Sequence, residues 1–120
     1  MAQSYFPTEG MALTLLLVIS DMARARQFYV DVLSFLGGWL LLVTGGKPTR
    51  DKPDVTFAPP ADPQVARHEM TIRVPDCQAA YGRLRARGGV RKTAPVDWGA
   101  EIRAFLHDPD GHLIEISQTR

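Results

Sequence analysis

Glu115 lies inside an otherwise apolar run, Leu113-Ile114-Glu115-Ile116, directly after the turn sequence Asp108-Pro109-Asp110-Gly111. Apolar residues on both sides of that turn predict strand, tight turn, strand. Side chains alternate along a strand, so Leu113, Glu115 and Ser117 share one face while Ile114 and Ile116 face a core. A carboxylate in the middle of a strand has two readings. Either its face is solvated, as one side of an antiparallel sheet often is, or it lines a cavity as a ligand or an acid–base group. Periodicity alone leaves both open.

Other residues with chemistry gather near it in sequence. Arg103 and Phe105 alternate on the strand entering the turn and so share a face, and Trp98 stands in the loop before them. A guanidinium, aromatic rings and a carboxylate around an apolar hollow describe a small-molecule pocket. Trp39, within an apolar run, is expected to be a packing residue, and for Trp98 packing and binding weigh equally. Of the three histidines, His68 neighbours Glu69, while His107 and His112 bracket the turn and are expected to be exposed there.

The whole chain narrows the options. Its 120 residues suit one domain with a real core. A formal charge of +1 provides no field for nucleic acid or a membrane surface, so the expected partners are a small molecule and a second copy of the chain. The single Cys77 fits a reducing compartment, the apolar run at 13–19 is short for a signal core, and a cytoplasmic location is the expectation.

These residues need a scaffold, and the chain repeats one. After an N-terminal arm at 1–11, residues 12–19 form an apolar strand and Asp21 caps a helix running to Phe35, with Met22, Phe28, Tyr29, Val32, Leu33 and Leu36 as its apolar stripe. Gly37-Gly38 ends it, 39–44 is a second strand, and 55–58 a short third one before Pro59-Pro60. The pattern then returns: strand 69–74, cap Asp76, helix 79–87 with Ala80, Tyr81 and Leu84 inward, stop Gly88-Gly89, an irregular connection 91–99, and the closing hairpin. Ile19-Ser20-Asp21 laid over Val74-Pro75-Asp76 brings every element into step, which is the mark of an internal duplication.

ISDMARARQFYVDVL in the first half and EIRAFLHDPDGHLIEI in the second resemble the vicinal oxygen chelate superfamily, which includes glyoxalase I, extradiol dioxygenases and bleomycin-resistance proteins. The resemblance implies an α+β fold: two βαβββ-type modules, at 12–60 and 67–117 of a single domain over 12–117, forming a curved mixed sheet around a cleft. It also implies a homodimer. Between Phe35 and Trp39 there is too little chain for the strand that normally follows the first helix, so the first module has either lost a strand or lacks a segment.

By the same resemblance, metal ligands fall seven residues before each cap, at Thr14 and Glu69, and on the last strand at Glu115, with an additional position near Thr56. Only carboxylates and hydroxyls stand there, where a catalytic divalent centre uses about three protein ligands. The expected metal ligands are therefore none; the alternative is a divalent ion weakly held by Glu69 and Glu115, with His107 as an unconventional third donor. The principal functional expectation is a binder of an aromatic or drug-like molecule, using Thr14, Glu69, Trp98, Arg103, Phe105, Leu113 and Glu115. The alternative is a lyase, isomerase or dioxygenase with Glu115 as its catalytic base, so whether the chain is an enzyme stays open. A third reading is a degenerate partner subunit.

Overall fold

The computed structural model describes residues 15–32, 40–88 and 91–120. In chain order the elements are β1 (Leu15–Ile19), α1 (Met22–Gln27), a π-helical turn (Phe28–Val32), β2 (Leu40–Thr44), β3 (Glu69–Arg73), α2 (Cys77–Ala86), β4 (Arg91–Asp97), β5 (Glu101–His107) and β6 (Leu113–Thr119). Among them no helix is long and apolar enough to cross a membrane.

Both helices start as their sequences specify. The Asp21 carboxylate accepts from the Arg24 amide at 3.1 Å and the Asp76 carboxylate from the Ala79 amide at 3.0 Å, each satisfying a backbone donor that the helix itself leaves free. α1 is shorter than expected, widening to π geometry at Phe28. Phe28 and Tyr29 are buried against each other edge to face, whereas Met22, expected inward, is exposed. Leu33, Phe35, Leu36, Gly37, Gly38, Trp39 and the N-terminal arm lie outside the described residues.

Four strands of the second half form one sheet in the order β3-β6-β5-β4. β5 and β6 pair antiparallel from Glu101↔Thr119 to His107↔Leu113, and β6 also pairs in parallel with β3. α2 covers one side, where Ile114, Ile116, Ala104 and Leu106 are buried and Ala80, Tyr81 and Leu84 pack against them. The stretch expected to be an irregular connection is β4. Register shifts between Arg91 and Thr93 and between Thr93 and Val96 let this edge strand carry Pro95, which a regular inner strand would not tolerate.

The first half contributes a two-stranded sheet in which β1 and β2 run parallel, Leu15 opposite Leu40 through Ile19 opposite Thr44. β2 thus takes beside β1 the place that β6 takes beside β3. The strand expected at 55–58 does not form; Phe57 makes a single bridge to Gly46, with amide–carbonyl bonds of 2.8 and 2.9 Å. Leu17, Phe28 and Tyr29 nevertheless belong to the same core as Ile114 and Ile116.

The two halves are clasped at the β5–β6 turn. Gly111 adopts φ +92°, a left-handed conformation that favours glycine, and a side chain there would meet Pro63 at 2.8 Å. Asp108 accepts from the amides of Asp110 and His112 at 2.9 and 2.8 Å and from the Tyr29 hydroxyl at 2.7 Å, while Asp110 accepts from the Ser20 amide at 3.0 Å. Burial, and then the Asp108 carboxylate, push the Tyr29 phenol far above its ordinary pKa, so Tyr29 is the donor.

Candidate functional site

Pairing register, rather than sequence proximity, assembles the site. On the side of the second sheet away from α2, three rows of side chains cross three strands. The first is Glu69, Leu113 and His107; the second is Thr71, Glu115 and Phe105; the third is Arg73, Ser117 and Arg103. Glu69, Arg103, Phe105, Leu113 and Glu115 are thereby brought onto one face. Thr14 lies outside the described residues.

Glu115 is only 7 % exposed, although it lies on the side of the sheet away from α2. Its carboxylate lies 3.3 Å from the Thr71 hydroxyl, which is itself 3.4 Å from the Glu69 carboxylate. A hydroxyl carries one proton, so Thr71 serves one of these two carboxylates at a time. The second carboxylate is left with acceptor capacity for a partner from outside.

Trp98 is attached to the same face through Arg103, whose guanidinium carbon lies 5.1 Å from the Trp98 ring centre and 5.8 Å from that of Phe105. These are distances at which a cation is attracted to an aromatic face. Trp98 remains 63 % exposed, so its ring is available for stacking. Arg73 lies across the sheet and donates to the Ser117 hydroxyl at 2.7 Å and to Thr119 at 3.4 Å.

The histidines differ from their expected surface positions. His112 is buried and its Nε2 lies 2.8 Å from the Val18 carbonyl, an acceptor, so Nε2 carries the proton and binds β1 to the turn. His107 is half-buried on the Glu115 face, with its Nε2 enclosed and without a partner among the described residues. His68 is exposed, its ring centre 5.5 Å from that of His112. His107 and His112 are drawn inward because the turn they bracket is packed beneath the first half.

A cavity of about 520 Å³ opens beside the face, between β1 residues Leu16 and Val18, the connecting segment at 58–62 and 65–68, and Gly111 to Leu113 of the turn. Leu113 belongs to both the cavity and the Glu115 face. Arg73, Thr71 and Ser117 were not expected as site residues, and His107 was expected there only as an unconventional metal donor. Ser117 was legible from its alternation with Glu115, but Arg73 and Thr71 depend on which strand β3 chooses as neighbour.

A model of the "Glyoxalase/Bleomycin resistance protein/Dioxygenase superfamily" matches residues 12–116. The chain belongs to this superfamily. A lactoylglutathione lyase of Haemophilus influenzae is 31% identical over 126 aligned residues, covering 88% of this chain and 90% of that enzyme. Among solved structures of similar fold, a glyoxalase/bleomycin resistance protein/dioxygenase from Nocardioides superposes with a TM-score of 0.71 at 21% identity, over 98% of this chain and 86% of that one. An antibiotic-binding protein from Streptomyces gives 0.61 at 20% identity, over 94% and 100%.

Here Glu69, Glu115 and the Thr71 hydroxyl are the oxygen donors that come together, and no group of three His, Cys, Asp or Glu gathers among the described residues. His107 shares the face but does not complete such a group. Among the described residues this set falls short of the roughly three protein ligands of a catalytic divalent centre and does not fit one. Cys77 is buried, and burial pushes its thiol up, away from the reactive thiolate.

Proposed function

We propose that this superfamily member binds a small aromatic or drug-like molecule on the Glu115 face, without a strong metal site. The observation that carries the reading is the near-complete burial of Glu115 on the side of the sheet away from α2, with Leu113 of the same face also lining a cavity large enough for a drug-sized ligand. Glu115 and Glu69 accept hydrogen bonds from the ligand, Leu113 and Phe105 form its apolar bed, and Trp98 and Arg103 stack on its ring, with Thr14 a further contact by resemblance. The antibiotic-binding Streptomyces neighbour is compatible with such a role. Exposed Leu15, Leu16 and Leu41 on the first sheet support a homodimer, whose second copy would cover them. The expected compartment is the cytoplasm.

The likeness to lactoylglutathione lyase favours a second reading, a lyase or isomerase. In it the Glu115 carboxylate takes a proton from the carbon beside a carbonyl, and Thr71 holds that carboxylate in place. The divalent ion that this reading would require would have only Glu69 and Glu115 as carboxylate ligands among the described residues.

Elemental analysis of the purified protein, followed by thermal-shift measurements with divalent metals and with a panel of aromatic compounds, separates the two readings. A compound at about a hundred times its dissociation constant adds about 2.7 kcal/mol to stability. Stabilisation by an aromatic compound, lost in Glu115→Gln with the fold intact, supports the binder. Stabilisation by a metal alone, lost in the same variant, moves the assignment to the lyase. A Glu115→Gln protein that unfolds while its surviving fraction binds normally makes Glu115 structural and removes the site.

A further inference from the structure

We infer that the third row of this face, Arg73, Ser117 and Arg103, is an anion-binding row, and that the ligand is an aromatic or apolar molecule ending in a carboxylate or a chemically similar anion. The inference rests on the binding reading above and names the class of molecule that the face selects. Arg73 and Arg103 flank Ser117 from opposite sides in register, each one strand away. Neighbouring strands are about 4.8 Å apart, so the two backbones stand about 9.6 Å apart, a gap that two arginine side chains can close over one anionic group.

Neither guanidinium is neutralised within the row. No carboxylate lies within 4.0 Å of Arg73 among the described residues, and Arg103 has only Glu101, at 4.0 Å and on the surface. Such a pair contributes little and is easily exchanged for a better one. Both side chains are nevertheless held in place. Ser117, fully buried, accepts from Arg73 at 2.7 Å, and Trp98 and Phe105 carry Arg103 on their faces. A guanidinium already positioned loses less freedom when it binds, and its planar fork matches a carboxylate through paired hydrogen bonds.

The order of the rows then fixes how a ligand lies. Leu113 to Ser117 covers four residue steps of β6, about 13 Å at strand rise. With its anion at Ser117, a ligand passes Glu115 at its middle and reaches Leu113 and the cavity with its apolar end. The two acidic residues stand at rows where the same anion would be repelled, so the face discriminates between the ends of the molecule.

The test uses two fluorescent probes with the same aromatic framework: 1-anilinonaphthalene-8-sulfonate, an anion, and N-phenyl-1-naphthylamine, which lacks the sulfonate. Both are titrated into the intact protein and into Arg73→Gln, Arg103→Gln, the double variant, Trp98→Ala and Arg85→Gln, a charge control on α2, with circular dichroism confirming each fold. The anion is expected to bind the native protein at least about tenfold more tightly than the neutral probe, the advantage of a charge-assisted contact. Each arginine variant should reduce that advantage and the double variant remove it, with Arg73→Gln leaving the neutral probe unaffected and Arg85→Gln leaving both probes unaffected. Equal binding of both probes to the native protein, or unchanged anion preference in the double variant, overturns the anion row. If in that case Trp98→Ala still weakens both probes, the binding face stands without it. Absence of binding by either probe overturns the row and the binding reading together.

Discussion

Asp21 and Asp76 cap their helices alike, each accepting from the amide three residues on, yet the chain that follows each helix builds different sheets. After α2 come three strands, and the last returns to lie parallel beside β3. After the first helix, β2 itself lies parallel beside β1. The two-stranded result could not stand alone in water, since sheets of that size lack a sufficient apolar face. It is supported by a core shared with the second half, through Leu17, Phe28 and Tyr29, and by polar bonds from Ser20, Val18 and Tyr29 to the β5–β6 turn. The described part of the first half therefore leans on the four-stranded sheet of the second.

The largest effect should come from the core the halves share. Ile114→Ala is expected to cost about 2 to 5 kcal/mol in denaturant unfolding, and Leu17→Ala, from the other half, a loss in the same range within one cooperative transition. Two separated transitions would break the comparison, because the first half would then unfold independently.

The clasp comes next. Tyr29→Phe leaves Asp108 with one donor fewer in a buried site and should cost about 1 to 3 kcal/mol. Because the folded phenol titrates above its unfolded value, its contribution is complete below about pH 10 and is lost as the pH rises further. Stability measured between about pH 8 and 11 should fall more steeply for the native protein than for Tyr29→Phe. Equal slopes would show that another group governs the alkaline limb.

Gly111→Ala combines an unfavourable backbone conformation with a contact on Pro63, and a loss of about 1 to 2 kcal/mol is expected in the same unfolding assay. The smallest effects belong to the caps, where Asp21→Ala and Asp76→Ala should each cost about 1 kcal/mol. A negligible cost for Asp21→Ala alone would sharpen the contrast, showing that the first helix is held by packing and not by its own terminus.

Much of this architecture is written in short-range signals. The caps, the Asp-Pro-Asp-Gly turn, the alternation that separates Ile114 and Ile116 from Glu115, and the repeated order of strand and helix each depend on a few neighbouring residues. For that reason Arg103, Phe105, Leu113 and Glu115 could be assigned to one face in advance. β4 escaped notice because Pro95 and two register shifts mask its period, and the strand expected at 55–58 failed because an apolar run needs a neighbour to pair with.

What the sequence by itself determined, then, is the set of local conformations and the sidedness of each strand, since both follow from backbone sterics and from side-chain spacing within a turn or a pleat. Only the tertiary structure decided that β2 lies beside β1, that His112 is buried under the first half, that Glu115 is enclosed, and that Arg73 and Arg103 flank Ser117 on neighbouring strands. Those outcomes depend on which strands become neighbours, and contacts between residues far apart in the chain leave no mark on the local pattern.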